Sequence, residues 1–128
     1  MSDFHGVVWW SELMTRDVPA ALKYYETVCG WSFDTMPTDS GDYHVAKKGD
    51  QPMAGILDMT GLPGMEEAPA HWFTYLAVDD LEAAVSETTA QGGAILRPPF
   101  EVPGIGRIAI IADPSGAAVG IMTPAMPE

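Results

Sequence analysis

Along this chain, short stretches in which apolar and polar residues alternate give way to a helical spacing of apolar positions, and that order of patterns occurs twice. Residues 7–15 read as a strand. Asp17 then caps a helix whose Pro19 falls in the first turn, where a missing N–H costs little. Leu22, Tyr25 and Cys29 form the apolar stripe of that helix, and Gly30 stops it. Residues 31–37, 42–48 and 53–59 are three further strands, separated by Ser40-Gly41 and Gly49-Asp50 turn signals. The segment TGLPGMEEAPA, residues 60–70, is turn-rich and acidic and reads as a linker between halves.

The second half starts with a strand over residues 71–78, and Asp80 caps a helix carrying Leu81, Ala84, Val85 and Thr88 before Gly92 and Gly93. A strand begins at residues 94–97, and the Pro98-Pro99 pair must interrupt it or push it to a sheet edge. GRIAIIADPSG is a strong strand followed by a turn, and AAVGIM is the last strand. Each half is therefore β-α-β-β-β.

The halves also match residue by residue. Asp17 falls on Asp80, Ala20 on Ala83, Ala21 on Ala84 and Gly30 on Gly93, a constant offset of 63, and MAGIL resembles AVGIM with Gly55 on Gly120. A half of roughly 60 residues is small for an independent domain, so the two copies should share one core or one sheet. This predicts a single α+β domain over residues 1–128, with one module at about residues 5–59 and another at about 71–125. Its ligand is expected where the copies meet.

Composition narrows the choice of partner. The chain is 47% hydrophobic and 19% charged, as globular domains are, with 18 acidic and 6 basic residues and a formal charge of −12. That charge repels phosphate backbones and leaves no basic stripe, which argues against nucleic acid. Cys29 is the only cysteine, so no internal disulfide can form, and a cytoplasmic location is expected; its place late in the helix suggests a small packed side chain. The N-terminus MSDFHGVVWW lacks the form of a secretory signal, and no stretch is long enough to span a bilayer.

The duplicated β-α-β-β-β order, Asp at each helix start, the Gly30-Trp31 helix end and the DPSG turn before the last strand together resemble the vicinal oxygen chelate superfamily, which includes glyoxalase I, extradiol dioxygenases and bleomycin-resistance proteins. ELMTRD with its following GW, and GRIAIIADPSGA, are similar to a branch of small glyoxalase-like proteins. The resemblance implies paired modules forming a cup-shaped mixed sheet with helices on the outer face, and commonly a homodimer. It also implies metal ligands from His, Glu or Gln on the first and last strands of each module. Those positions fall on Trp10, Gly55, Phe73 and Gly120, which offer no suitable lone pair, so no metal cofactor is expected. The three histidines, His5, His44 and His71, are scattered.

Strand alternation places Val8, Trp10, Glu12 and Met14 on one face, with Ser11 and Leu13 on the other. By the same rule His71, Phe73, Tyr75 and Ala77 face the cup, and Met53, Gly55, Leu57, Gly120 and Met122 complete its walls. The expected ligand-binding set is thus Trp10, Glu12, Phe73, Tyr75, Met53, Leu57, Met122 and His71. Gly55 and Gly120 remove side chains where filling would need them, which predicts an open pocket over a filled core. Glu12 carries an inward carboxylate that must be satisfied by a partner or used. Two functions follow: binding of a small apolar or aromatic molecule in a metal-free cup, or a metal-independent isomerase, lyase or hydratase with Glu12 as general acid or base.

Overall fold

The computed structural model describes residues 3–38, 41–61, 66–102 and 105–125. Ser40 of the first turn signal, residues 62–65 of the linker and residues 103–104 lie outside them. Within them run β1 (Val8–Thr15), α1 (Val18–Cys29), β2 (Ser32–Thr38), β3 (Gly41–Lys48), β4 (Gln51–Asp58), β5 (His71–Ala77), α2 (Leu81–Ala90), β6 (Ala94–Val102), β7 (Gly106–Ala112) and β8 (Ala118–Pro124). The chain is α+β and repeats β-α-β-β-β, as the pattern predicts. Its contacts divide it into two compact units, Trp10–Phe73 and Met1–Trp9 with Thr74–Glu128.

In the Trp10–Phe73 unit the strand order is β2-β3-β4-β1. β1 runs parallel to β4, with Glu12 opposite Gly55 and Leu13 opposite Ile56, while β2, β3 and β4 are successive antiparallel hairpins. Asp17 caps α1 by accepting the Ala20 N–H at 3.1 Å, and Gly30 ends it with φ 72°, its N–H donating to the Glu26 carbonyl. Leu13, Ala46, Ala54 and Ile56 are buried on one face of the sheet. No residue of α1 is fully buried, however, and Leu22 and Tyr25 are only half-covered.

Cys29 is exposed, which corrects the expectation of a packed thiol. The larger rings take the contacts at that end of the helix. Tyr25 stacks on Trp31 at 5.7 Å, Trp72 meets both edge-on, and the Trp72 indole donates to the Tyr25 hydroxyl at 3.1 Å.

The other unit has the order β5-β8-β7-β6. β5 is parallel to β8, with Tyr75 opposite Gly120, and β8, β7 and β6 pair antiparallel. Here the helix is properly seated. Leu81 of α2 is buried with Ala109, Ile111 and Ile121, and Val85, Leu76 and Val119 pack around them. The leucine and the two isoleucines of the cluster each contribute about 1.5–3 kcal/mol when taken fully out of water. The Pro98-Pro99 pair does not stop β6. The strand continues at the end of the sheet order through two register shifts, between Ile95 and Arg97 and between Arg97 and Phe100, as an edge position permits. The DPSG turn closes on Asp113, whose Oδ1 accepts the Ser115 N–H, the Ser115 hydroxyl and the Ala117 N–H.

Candidate functional site

Parallel pairing of β1 with β4 places the inward face of β1 beside Gly55, and β3 adds Tyr43 from the opposite side of β4. Trp10 is half-buried, and its indole N–H donates to the Tyr43 hydroxyl at 3.0 Å. The two rings close over Gly55. A Cβ at that position would overlap the Tyr43 hydroxyl and stand 3.1 Å from the Trp10 indole nitrogen. In the other unit Gly120 is covered likewise, because a Cβ there would run into the ring of Tyr75.

The open space expected above these glycines is therefore taken up by aromatic side chains. The physical reason is cross-strand compensation: a strand glycine leaves a gap that a neighbouring ring covers. Tyr43, absent from the expected ligand set, is brought into the site this way. The signal for it in the sequence was an aromatic residue on a hairpin strand facing a glycine-bearing one.

Glu12 lies two residues beyond Trp10 on the same strand face and is 8% exposed. A carboxylate so placed is tolerable only with hydrogen-bonding partners, and no buried side-chain nitrogen or oxygen among the described residues lacks one. Phe73 is buried and His71 meets its ring edge-on at 6.4 Å. The His71 Nδ1 stands 2.8 Å from the Pro69 carbonyl, which can only accept, so that nitrogen carries the proton. Tyr75 and Met122 are buried, whereas Met53 is exposed and Leu57 half-covered.

The other candidates are placed apart. The His44 Nδ1 is hydrogen-bonded to the Thr35 hydroxyl at 2.9 Å. The His5 Nδ1 accepts the Asp79 N–H at 2.9 Å, so the ring is neutral there and its 3.7 Å approach to the Asp79 carboxylate is no ion pair. Arg107 pairs with Glu82 at 2.6 Å, Arg97 covers the Phe100 ring, and Arg16 donates to the Ala68 and Glu66 carbonyls. Of the four positions at which the resemblance implies metal ligands, Trp10 presents an N–H already donated to Tyr43, Phe73 presents a hydrocarbon ring, and Gly55 and Gly120 present nothing. These residues do not fit a metal ion. No group of three or more His, Cys, Asp or Glu side chains suited to a metal occurs among the described residues.

The chain has clear relatives. It is 36% identical over 121 residues to the Mycobacterium tuberculosis (strain CDC 1551 / Oshkosh) protein named "Putative glyoxylase CFP32", an alignment covering 94% of this chain and 45% of that protein. It is 27% identical over 127 residues to the anthracycline biosynthesis protein DnrV of Streptomyces peucetius, covering 91% and 46%. The chain thus spans a little under half the length of these curated relatives. Among solved structures, methylmalonyl-CoA epimerase from Mycobacterium tuberculosis superimposes with a TM-score of 0.67 at 14% identity, covering 98% of this chain and 93% of that one. A hypothetical protein from Bacillus halodurans does so with a TM-score of 0.71 at 9% identity, covering 94% and 96%. At such identities the likeness is one of fold. Residues 7–121 match the family model described as the Glyoxalase/Bleomycin resistance protein/Dioxygenase superfamily, and the chain belongs to that superfamily.

Proposed function

We propose that this protein binds a small, flat, largely apolar molecule against the inward face of β1, without a metal ion, and that the chain is one domain acting as a homodimer. The observation that carries the reading is the hydrogen-bonded Trp10–Tyr43 pair over Gly55, with the buried carboxylate of Glu12 two residues further along the strand. Two rings fixed by a hydrogen bond give a planar ligand a rigid apolar surface, and one buried carboxyl group fixes its orientation. Phe73, His71, Met53 and Leu57 of the same unit are further candidate contacts. The relationship to a protein named for anthracycline biosynthesis supports a fused-ring aromatic ligand.

The burial of Glu12 favours a second reading, in which the same site catalyses a metal-independent isomerisation, epimerisation or addition of water with Glu12 as general acid or base. One experiment separates the roles of this residue. Glu12→Gln keeps shape and removes charge. If Glu12 orients a ligand, titration with the anthracycline doxorubicin should give an affinity weaker by about 1–3 kcal/mol than wild type. Unchanged affinity with a lowered melting temperature assigns Glu12 to stability and refutes its role in orienting the ligand; the catalytic role is refuted only by a turnover that Glu12→Gln leaves intact.

A further inference from the structure

Glu12 of β1 stands opposite Gly55 of β4, and the Tyr43 hydroxyl fills the place where a Gly55 side chain would begin. Paired strands lie about 4.8 Å apart, and residues opposite one another share a face of the sheet. The phenol oxygen, reaching over from β3, and the side chain of Glu12 therefore border the same patch. That oxygen accepts the Trp10 indole N–H at 3.0 Å. Accepting this bond leaves the phenol its own O–H to donate, and the indole stabilises the negative charge that builds on the oxygen as it does so. Glu12 is the one buried carboxyl among the described residues.

We propose that Tyr43 is a second catalytic group of this site, donating its O–H to a substrate carbonyl oxygen, and that the substrate is a flat β,γ-unsaturated ketone in which Glu12 moves a proton from one carbon to another. The proposal rests on the reading of Glu12 as general acid or base and adds the electrophile which that reading lacks. In its carboxylate form Glu12 takes the proton from the carbon between the carbonyl and the alkene. The C–H electron pair becomes a new C=C bond, and the carbonyl π pair moves onto oxygen, where the Tyr43 O–H holds it. The oxygen pair then re-forms the C=O bond, the new double bond shifts into conjugation, and the alkene pair takes the proton back from Glu12 at the γ-carbon. The product is the conjugated ketone, with no oxidant, reductant or co-reactant consumed. Because one carboxyl both collects and returns the proton, the transfer stays on one face of the substrate. Trp10 does not touch the reacting atoms; it is a positioning residue that acts through the Tyr43 oxygen.

The test uses 2-tetralone, a flat aromatic ketone with two acidic hydrogens at C1, and measures their exchange for deuterium in D2O by NMR with the whole chain. Wild type should speed exchange above the protein-free rate at one of the two C1 hydrogens. Glu12→Gln should return exchange to the protein-free rate. Tyr43→Phe keeps the ring over Gly55 and should lower kcat by about 100-fold while leaving KM unchanged, as loss of a donor used only by the oxyanion requires. Trp10→Phe should lower kcat by about fivefold at unchanged KM, the effect of one neutral hydrogen bond. A titration in ordinary water, read at the Trp10 indole N–H resonance, reports binding to the face separately. Exchange that survives Tyr43→Phe or Glu12→Gln, or equal exchange of both hydrogens, would overturn the proposal. A saturable indole shift without accelerated exchange would overturn it and leave the binding reading standing, whereas neither shift nor exchange would count against both.

Discussion

Gly55→Ala adds a single methyl group at the point on which the site's geometry turns. The new carbon overlaps the hydroxyl end of Tyr43 and stands 3.1 Å from the Trp10 indole nitrogen, so the backbone cannot accept it unless the Tyr43 ring moves. Tyr43 is half-buried and swings about its χ1, which spares the main chain but breaks the 3.0 Å hydrogen bond from Trp10. Loss of that bond costs about 1 kcal/mol and overpacking about 1–3 kcal/mol. Replacing glycine by alanine within a strand returns about 0.5–1 kcal/mol through the unfolded chain. The net destabilisation should be about 2 kcal/mol, a fall of roughly 6–10 °C in melting temperature for a domain of this size. Urea and thermal melts of Gly55→Ala, Tyr43→Ala and the double variant test the origin of the cost. Removing the Tyr43 ring should make the alanine nearly neutral, giving a coupling of more than about 1 kcal/mol. A Gly55→Ala protein as stable as wild type, or additive variants, would refute the account of the closed aromatic pair.

Gly120→Ala should be costlier than Gly55→Ala, because the overlap reaches nearer the root of the Tyr75 ring, which at 9% exposed has little room to turn; comparative urea midpoints check the order. Asp113 is held below the usual carboxylate range by the Ser115 hydroxyl first and the Ala117 and Ser115 N–H groups next. Its contribution is therefore complete above the ordinary carboxylate pKa and is lost as pH falls through the depressed one, so Asp113→Ala should flatten the acid limb of melting temperature against pH. Lys47 has its pKa raised by the hydrogen bond and charge of Asp34, 2.9 Å away. Its contribution is present below the ordinary lysine pKa and is lost as pH rises through the raised one, a loss that Lys47→Met should abolish from the alkaline limb. Sedimentation at micromolar concentration should give a dimer, and a monomer there would remove the proposed assembly.

Both helices could be bounded from the sequence because their end signals are local. Asp17 and Asp80 each accept the N–H three residues on, and Gly30 supplies the left-handed turn that ends α1. The repeat offset carried the start of the helix from one module to the other but not its end, since α2 stops at Ala90 with Gln91 as its cap, short of Gly93, which the offset matches to Gly30. The inward face of β1 was also legible, since alternation needs no knowledge of neighbouring strands. Tyr43 was not, because its place over Gly55 depends on the register of β3 on β4 and on which ring fills the gap left by glycine. The exposure of Cys29 has a similar origin. Helical spacing puts it on a stripe with Leu22 and Tyr25, yet the Tyr25, Trp31 and Trp72 rings satisfy one another at that end of the helix. The proline pair left two outcomes open, and only the strand order decides for the edge.

The central claim is that the Trp10–Tyr43 face binds a flat aromatic molecule without a metal. Isothermal titration of wild type and Trp10→Ala with doxorubicin, in buffer containing excess EDTA, tests it most directly. The account predicts saturable one-to-one binding to wild type, unchanged by the chelator, and a dissociation constant about tenfold higher for Trp10→Ala, equivalent to about 1.4 kcal/mol of lost aromatic contact. Binding abolished by EDTA, equal affinity in the two proteins, or no binding to wild type would contradict it.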